Sequence, residues 1–202
     1  MSALKLGVMY GAIPFLAVMV GYQAIQLTSS EGKPTAIVDT LTPTPQVLKD
    51  LEQLGGFKEN EAIDPKKTLY VFYDPTCPGC HTMFDASRKK LYEAHGVTMK
   101  WIPTTILGDE EESVAAAIYG LTATTEQQQA QIFSAQKPAA AITTEGMTSV
   151  ATNNEYLKTY SALNASILAV PTVLYMNPEG KNVTVSYNIS DDPYLIKLID
   201  GI

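Results

Sequence analysis

DPTCPGCH, residues 74–81, holds both cysteines of the chain, separated by two residues and followed directly by a histidine. Four chemistries use that spacing: a redox dithiol, covalent attachment of a c-type haem, half of a zinc site, or a small structural disulfide. The flanks narrow the choice. Upstream, TLYVFY (68–73) is a run of β-branched and aromatic residues without alternation, as expected of a strand buried on both faces. Downstream, Pro78 suits the first turn of a helix that MFDASRKKLYEAHG extends to a stop at Gly96. Both cysteines therefore sit where a strand hands over to a helix.

That position favours redox work. Unpaired N–H groups and the positive end of the helix dipole stabilise a thiolate at Cys77, while Cys80, one turn further in, is more covered and is placed to attack a mixed disulfide formed at Cys77. Three neighbours are candidate modulators: Pro78 has no N–H to donate, Gly79 adds no bulk, and His81 can add positive charge. The haem reading matches CPGCH letter for letter. It needs His81 as axial ligand and a distal partner, for which Met83, Met99, Met147, Met176 and His95 are available. Small c-type cytochromes are mainly helical, however, and this motif follows a buried strand. Zinc would need a second Cys or His pair, so no metal and no cofactor is expected. An inert disulfide closing so short a loop would restrict the unfolded chain little. A redox dithiol is the leading reading, with the haem electron carrier and a redox-inactive chaperone or binding module as alternatives.

Working outward, VTMKWIPTTI (97–106) reads as a second strand and residues 109–165 as a helical block in three pieces. The acidic run DEEES (109–113) precedes VAAAIYGL, TTEQQQAQIF (124–133) follows, and Asn153 or Asn154 is expected to open a helix with Tyr156, Leu157, Tyr160 and Leu163 as core contacts. ILAVPTVLYM (167–176), the turn NPEG and KNVTVSYNI (181–189) form a hairpin, and Ser190 caps a last helix. Before the cysteine region, residues 29–66 read as a linker with one short helix. Thr44 caps that helix, Val47, Leu48, Leu51 and Leu54 share a face, and Gly55 ends it.

The N-terminus bears on compartment. Residues 6–27 contain no charged side chain over 22 positions, enough to cross a bilayer, and the small-x-small sites that would allow cleavage are poor. Residues 1–28 are thus expected to be an uncleaved inner-membrane anchor, or otherwise a signal segment, with the remainder in an oxidising space. A formal net charge of -7, from 21 acidic and 14 basic residues, argues against nucleic acid as a partner.

Residues 67–202 resemble the catalytic domain of the DsbC/DsbG branch of periplasmic thiol-disulfide oxidoreductases. The residues that carry the likeness are Asp74, Pro75, Cys77, Pro78, Cys80 and His81, then VTMKWIP leading to an Ala-rich helix, and VPTVLY (170–175). The resemblance implies an α/β thioredoxin-like fold with a helical insertion over about 109–165. It implies Cys77 as attacking thiol, Cys80 as resolving thiol, and a cis Pro171 beside Val170, whose backbone pairs with a bound substrate chain. Exported proteins with cysteines or disulfides are the implied clients, and a membrane redox partner resets the dithiol. Three departures stand out. Residues 28–66 are too short for the branch's N-terminal dimerisation domain, so a monomer is expected and isomerase activity does not carry over. Val170 replaces the branch's usual Thr, as in the oxidant DsbA. Val71 stands where thioredoxin has a buried carboxylate. The implied location is the periplasmic face of the bacterial inner membrane, or the periplasm if the N-terminus is removed.

Overall fold

The computed structural model describes residues 45–59, 68–87, 97–134, 137–138, 140–163, 168–176 and 182–186. The candidate anchor 6–27, the later part of the helix expected to stop at Gly96, the NPEG turn and the helix expected after Ser190 lie outside the described residues. Among the described residues no helix is long and apolar enough to cross a membrane.

The two segments read as strands, TLYVFY and VTMKWIP, become the centre of a mixed five-stranded sheet. β2 (Thr68–Tyr73) and β3 (Thr98–Pro103) lie parallel, in register from Thr68 opposite Thr98 to Tyr73 opposite Pro103, and every residue of both is buried. Strands covered on both faces have no polar side to alternate with. β4 (Thr172–Met176) runs antiparallel to β2 and forms a hairpin with β5 (Asn182–Ser186), while β1 (Phe57–Lys58) runs antiparallel to β3, giving the order β1-β3-β2-β4-β5.

β1 carries no recognisable pattern in the sequence because it is two residues long, yet it places Phe57 in the core. The sheet therefore takes in residues well before residue 67. Gly56 makes that possible: a Cβ there would stand 2.1 Å from the carbonyl oxygen of Trp101. The preceding helix α1 (Pro45–Gln53) follows the expected apolar face, with Leu51 and Leu54 buried. Lys100 of β3, itself buried, donates from Nζ to the carbonyls of Leu51 and Glu52 at 2.9 and 2.7 Å, and so meets the negative end of α1 with a cation. Burial lowers the Lys100 ammonium to about 8.

Among the described residues, three helices lie between β3 and β4: α3 (Glu111–Gly120), α4 (Glu126–Ile132) and α5 (Thr144–Leu163). α4 starts at a capping box in which Thr125 and Gln128 satisfy one another's backbone N–H groups. α5 differs from the reading of the sequence. It begins at Thr144, with Thr143 Oγ1 accepting the Gly146 N–H at 3.0 Å, so Asn153 and Asn154 are interior to it rather than its cap. Both asparagines answer backbone groups of other elements. Asn153 Nδ2 donates to the carbonyls of Gly55 at 3.0 Å and Pro103 at 2.9 Å, and Asn154 exchanges hydrogen bonds with the N–H and hydroxyl of Thr105. Leu157 and Tyr160 are buried as expected, whereas Leu163, at the last turn, is 68% exposed and makes no core contact.

Asn153→Ala leaves two backbone acceptors short of a donor and is expected to lower stability by about 1–3 kcal/mol. A shift of the urea midpoint at unchanged slope measures it, and Asn154→Ala, at a half-buried position, should cost less.

Candidate active site

The segment that joins β2 to the next helix is a hydrogen-bonded turn. The Cys77 N–H donates to the Asp74 carbonyl at 3.0 Å with Pro75 inside the turn, and Pro78 then opens α2 (Pro78–Thr82), which runs on as a π-helical turn (Met83–Ser87). Cys77 is extended and caps α2 with sulfur: its Sγ accepts the Cys80 N–H at 3.3 Å. Both cysteines are free thiols, Cys77 being 5% exposed and Cys80 fully covered.

The surroundings push the two thiols in opposite directions. Cys77 falls from 9.0 to about 7, chiefly because the Cys80 thiol donates to its sulfur. The N–H groups of Cys80 and Gly79 help, while burial and the Asp74 carboxylate oppose. Cys80 is pushed strongly up, first by burial, then by its bond to Cys77 and the charge there. The pair thus divides into a sulfur ready to be a thiolate and a sulfur kept as a thiol.

Val170 and Pro171 come to the same place. The Val170–Pro171 peptide is cis, and the Cys77 thiol donates to the Val170 carbonyl at 3.3 Å. A Cβ on Gly79 would lie 3.4 Å from Pro171 Cδ and 3.8 Å from Cys77 Sγ, so a residue without a side chain leaves open the space between the helix start and the proline. His81 follows Cys80 in α2. Its Nε2 donates to the Pro75 carbonyl at 2.8 Å and its ring packs edge-on against Phe133. The c-type haem reading finds no fit here. The Nε2 that would ligate iron is engaged with Pro75, and Cys80, which would carry a thioether, is wholly buried.

Lys137, Leu107 and Asp74 complete the site. Lys137, from the segment after α4, donates to the carbonyls of Pro75 and Ile132, and its Nζ lies 3.2 Å from His81 Nε2. Burial lowers the Lys137 ammonium against the pull of Glu112 and Asp74. Asp74, fully buried, accepts at Oδ1 from the Thr76 N–H at 2.9 Å and the Thr76 hydroxyl at 2.6 Å, and at Oδ2 from the Leu107 N–H at 3.1 Å. An Asp-Pro-Thr sequence does announce such a side-chain-capped turn. Nothing local announces Lys137 or Leu107, because their contacts span 62 and 33 residues of chain.

A thioredoxin-like domain model matches residues 58–191. The chain belongs to the thioredoxin-like domain family. Its mixed α/β sheet with the cysteine pair at a strand-to-helix junction is the arrangement of that fold. Over 140 residues the chain is 28% identical to the thiol:disulfide interchange protein DsbG of Pseudomonas aeruginosa, covering 67% of this chain and 52% of that protein. The chain spans about half the length of that relative, and the match itself agrees with the resemblance of residues 67–202 to the DsbC/DsbG branch. Among solved structures, a periplasmic thioredoxin-like protein from Salmonella enterica serovar Typhimurium aligns at TM-score 0.48 and 16% identity, covering 78% of this chain and 97% of that one. DsbG of Helicobacter pylori aligns at TM-score 0.47 and 20% identity, covering 63% and 60%.

Carbamidomethylation of the native, reduced protein should modify Cys77 alone, with a rate that is half-maximal near pH 7, and should reach Cys80 only after denaturation. The sign for stability follows from the same shift. A thiol lowered from 9.0 to about 7 on folding stabilises the reduced fold fully above pH 9, and that contribution is lost as pH falls through 7. The stability advantage of reduced wild type over Cys77→Ser should therefore shrink between pH 9 and pH 7, as denaturant midpoints will measure.

Proposed function

We propose that this protein is a thiol-disulfide oxidoreductase that works on exported client proteins through Cys77 and Cys80, with Val170 and Pro171 receiving the client chain beside Cys77. The observation that carries the reading is the asymmetry of the two thiols. One sulfur lies at a helix N-terminus with its acidity raised to about 7; the other is covered, held as a thiol and bonded to the first. Attack by Cys77 on a client disulfide forms a mixed disulfide and releases one client thiolate. Cys80 then attacks Cys77, the second client thiolate leaves, and the protein holds the disulfide; the reverse sequence oxidises a client.

The acidity of Cys77 also speaks to direction. A thiolate at about 7 matches the value typical of thioredoxin and lies far above the roughly 3.5 of DsbA. A less acidic thiol is a poorer leaving group, which makes the disulfide a weaker oxidant. The reading is therefore a dithiol that a membrane electron donor keeps reduced and that removes misplaced disulfides. Residues 6–27 would hold it, as a monomer, at the periplasmic face of the inner membrane, where DsbG-type relatives support an extracytoplasmic place of work. Loss of the protein from alkali-washed membranes would overturn the tether alone.

Equilibration in glutathione buffers tests the central reading. The expected Cys77/Cys80 potential is about -200 mV or lower, whereas a value near about -120 mV would make the protein a donor of disulfides. Cys77→Ser should abolish exchange, and Cys80→Ser should retain attack but stop at the mixed disulfide.

A further inference from the structure

The turn that carries Cys77 is held from one side by a residue outside the cysteine motif. Lys137 lies five residues beyond Ile132, the last residue of α4, and Pro138 after it disfavours a helical backbone at the lysine, so the helix does not resume there. Its half-buried ammonium donates to the carbonyls of Pro75 and Ile132 and lies 3.2 Å from His81 Nε2. The turn is closed by the bond from the Cys77 N–H to the Asp74 carbonyl, so the Pro75–Thr76 peptide is its central one. That peptide is held on both edges. Its carbonyl takes Lys137 and, at 2.8 Å, His81, while its N–H donates to Asp74 Oδ1 at 2.9 Å. Phe133, at the end of α4, packs against the His81 ring with 5.6 Å between centroids. Of the two side chains on the Pro75 carbonyl, one therefore comes from the segment after α4 and the other is braced by it. Lysine ordinarily leaves its ammonium in water, and fixing it costs rotamer entropy. Burial lowers this one, with Glu112 of α3 and Asp74 of the turn as the carboxylates that act on it.

We infer that Lys137 is a positioning residue for thiol-disulfide exchange: by holding the Pro75 carbonyl it keeps the Cys77 sulfur seated on the Cys80 N–H and beside the Val170 carbonyl, the place from which it attacks. The inference rests on the exchange reaction proposed above, and the bonds made and broken are those given there. Cys77 follows directly on the turn, so the direction of its side chain depends on how the central peptide stands. With the peptide held, Sγ accepts the Cys80 N–H at 3.3 Å and lies 3.3 Å from the Val170 carbonyl oxygen. Hydrogen bonds weaken steeply as they lengthen and bend, and a thiolate depends on its donors more than a thiol does. Freeing the Pro75 carbonyl therefore costs the thiolate more than the thiol. The helical block between β3 and β4 thus acts on the reaction through one side chain at the turn.

The test uses the full-length reduced protein and Lys137→Met, which keeps the apolar stem and removes the donors. Carbamidomethylation of Cys77 is followed by mass spectrometry across pH, once at about 0.01 M salt and once at about 1 M, where the Debye length falls from about 30 Å to about 3 Å. The wild-type midpoint lies near 7. In Lys137→Met it should rise by about one unit, the size of one weakened hydrogen bond, and by the same amount at both salt concentrations. Attack on oxidised glutathione at about pH 6 should slow about three- to tenfold, since a less acidic thiolate is scarcer but the better nucleophile. An unmoved midpoint or an unslowed attack, whatever the urea midpoint does, makes Lys137 a stabilising contact only and overturns the inference. A shift present at low salt and lost at high salt assigns the effect to charge at a distance and overturns it equally. If Lys137→Met does not fold, Lys137→Gln, which keeps a polar tip without the ammonium, decides in its place. Failure of the wild type to react with oxidised glutathione would instead overturn the exchange reaction, which the alkylation midpoints do not report.

Discussion

Between Tyr73, the last residue of β2, and Pro78, the first of α2, four residues must turn a buried extended strand into the start of a helix. The buried carboxylate of Asp74 holds them in that turn. It ties down Thr76 within the turn and Leu107 of the neighbouring loop, while the Asp74 carbonyl takes the Cys77 N–H. A buried charge is tolerated only where donors surround it, and here three do. With the turn held, Cys77 caps α2 by taking the Cys80 N–H on its sulfur and donates from that sulfur to the Val170 carbonyl. The asymmetry of the two thiols is a property of that one turn.

Under the turn lies a cluster of rings that gives it a rigid floor. Phe84 stacks on Phe133 at 4.2 Å, Trp101 meets Phe84, Phe133 and Tyr73 edge to face at 5.4, 5.3 and 5.8 Å between centroids, and Tyr73 meets Phe133 tilted at 5.1 Å. Phe133 belongs to the end of α4, so the helical block between β3 and β4 is part of the site's foundation. Lys137 extends the same connection to the Pro75 carbonyl. Through these contacts the block and the cysteine turn share one packed core.

What could be read in the sequence was what depends on local pattern. TLYVFY announces a doubly buried strand because it does not alternate, VTMKWIP reads as a strand although the burial of its Thr98 and Lys100 is not announced, and a proline directly after Cys77 announces a helix start. The DsbC/DsbG likeness added the cis proline, which no local pattern reveals. Reading failed where a residue's choice is dictated by something distant. Asn153 and Asn154 look like helix caps because asparagine is favoured there, but they serve the carbonyls of Gly55 and Pro103 and the backbone of Thr105. β1 escaped because two residues have no period, and Lys137 because a lone lysine in a polar segment looks solvated. Asp74 was visible as part of the motif, but its burial and its donors became apparent only when the loop after β3 was in place.

β1 also determines how this molecule meets its neighbours. A sheet edge is a row of backbone groups that any extended chain can join. The edge beyond β3 is occupied by a strand of only two residues, one of them Lys58 in an ion pair with Glu52, and α1 is fastened alongside by Lys100. A chain arriving on that side finds one short, charged rung in place of a long flat template. Edge-to-edge pairing with another chain is thereby discouraged at that flank of the sheet.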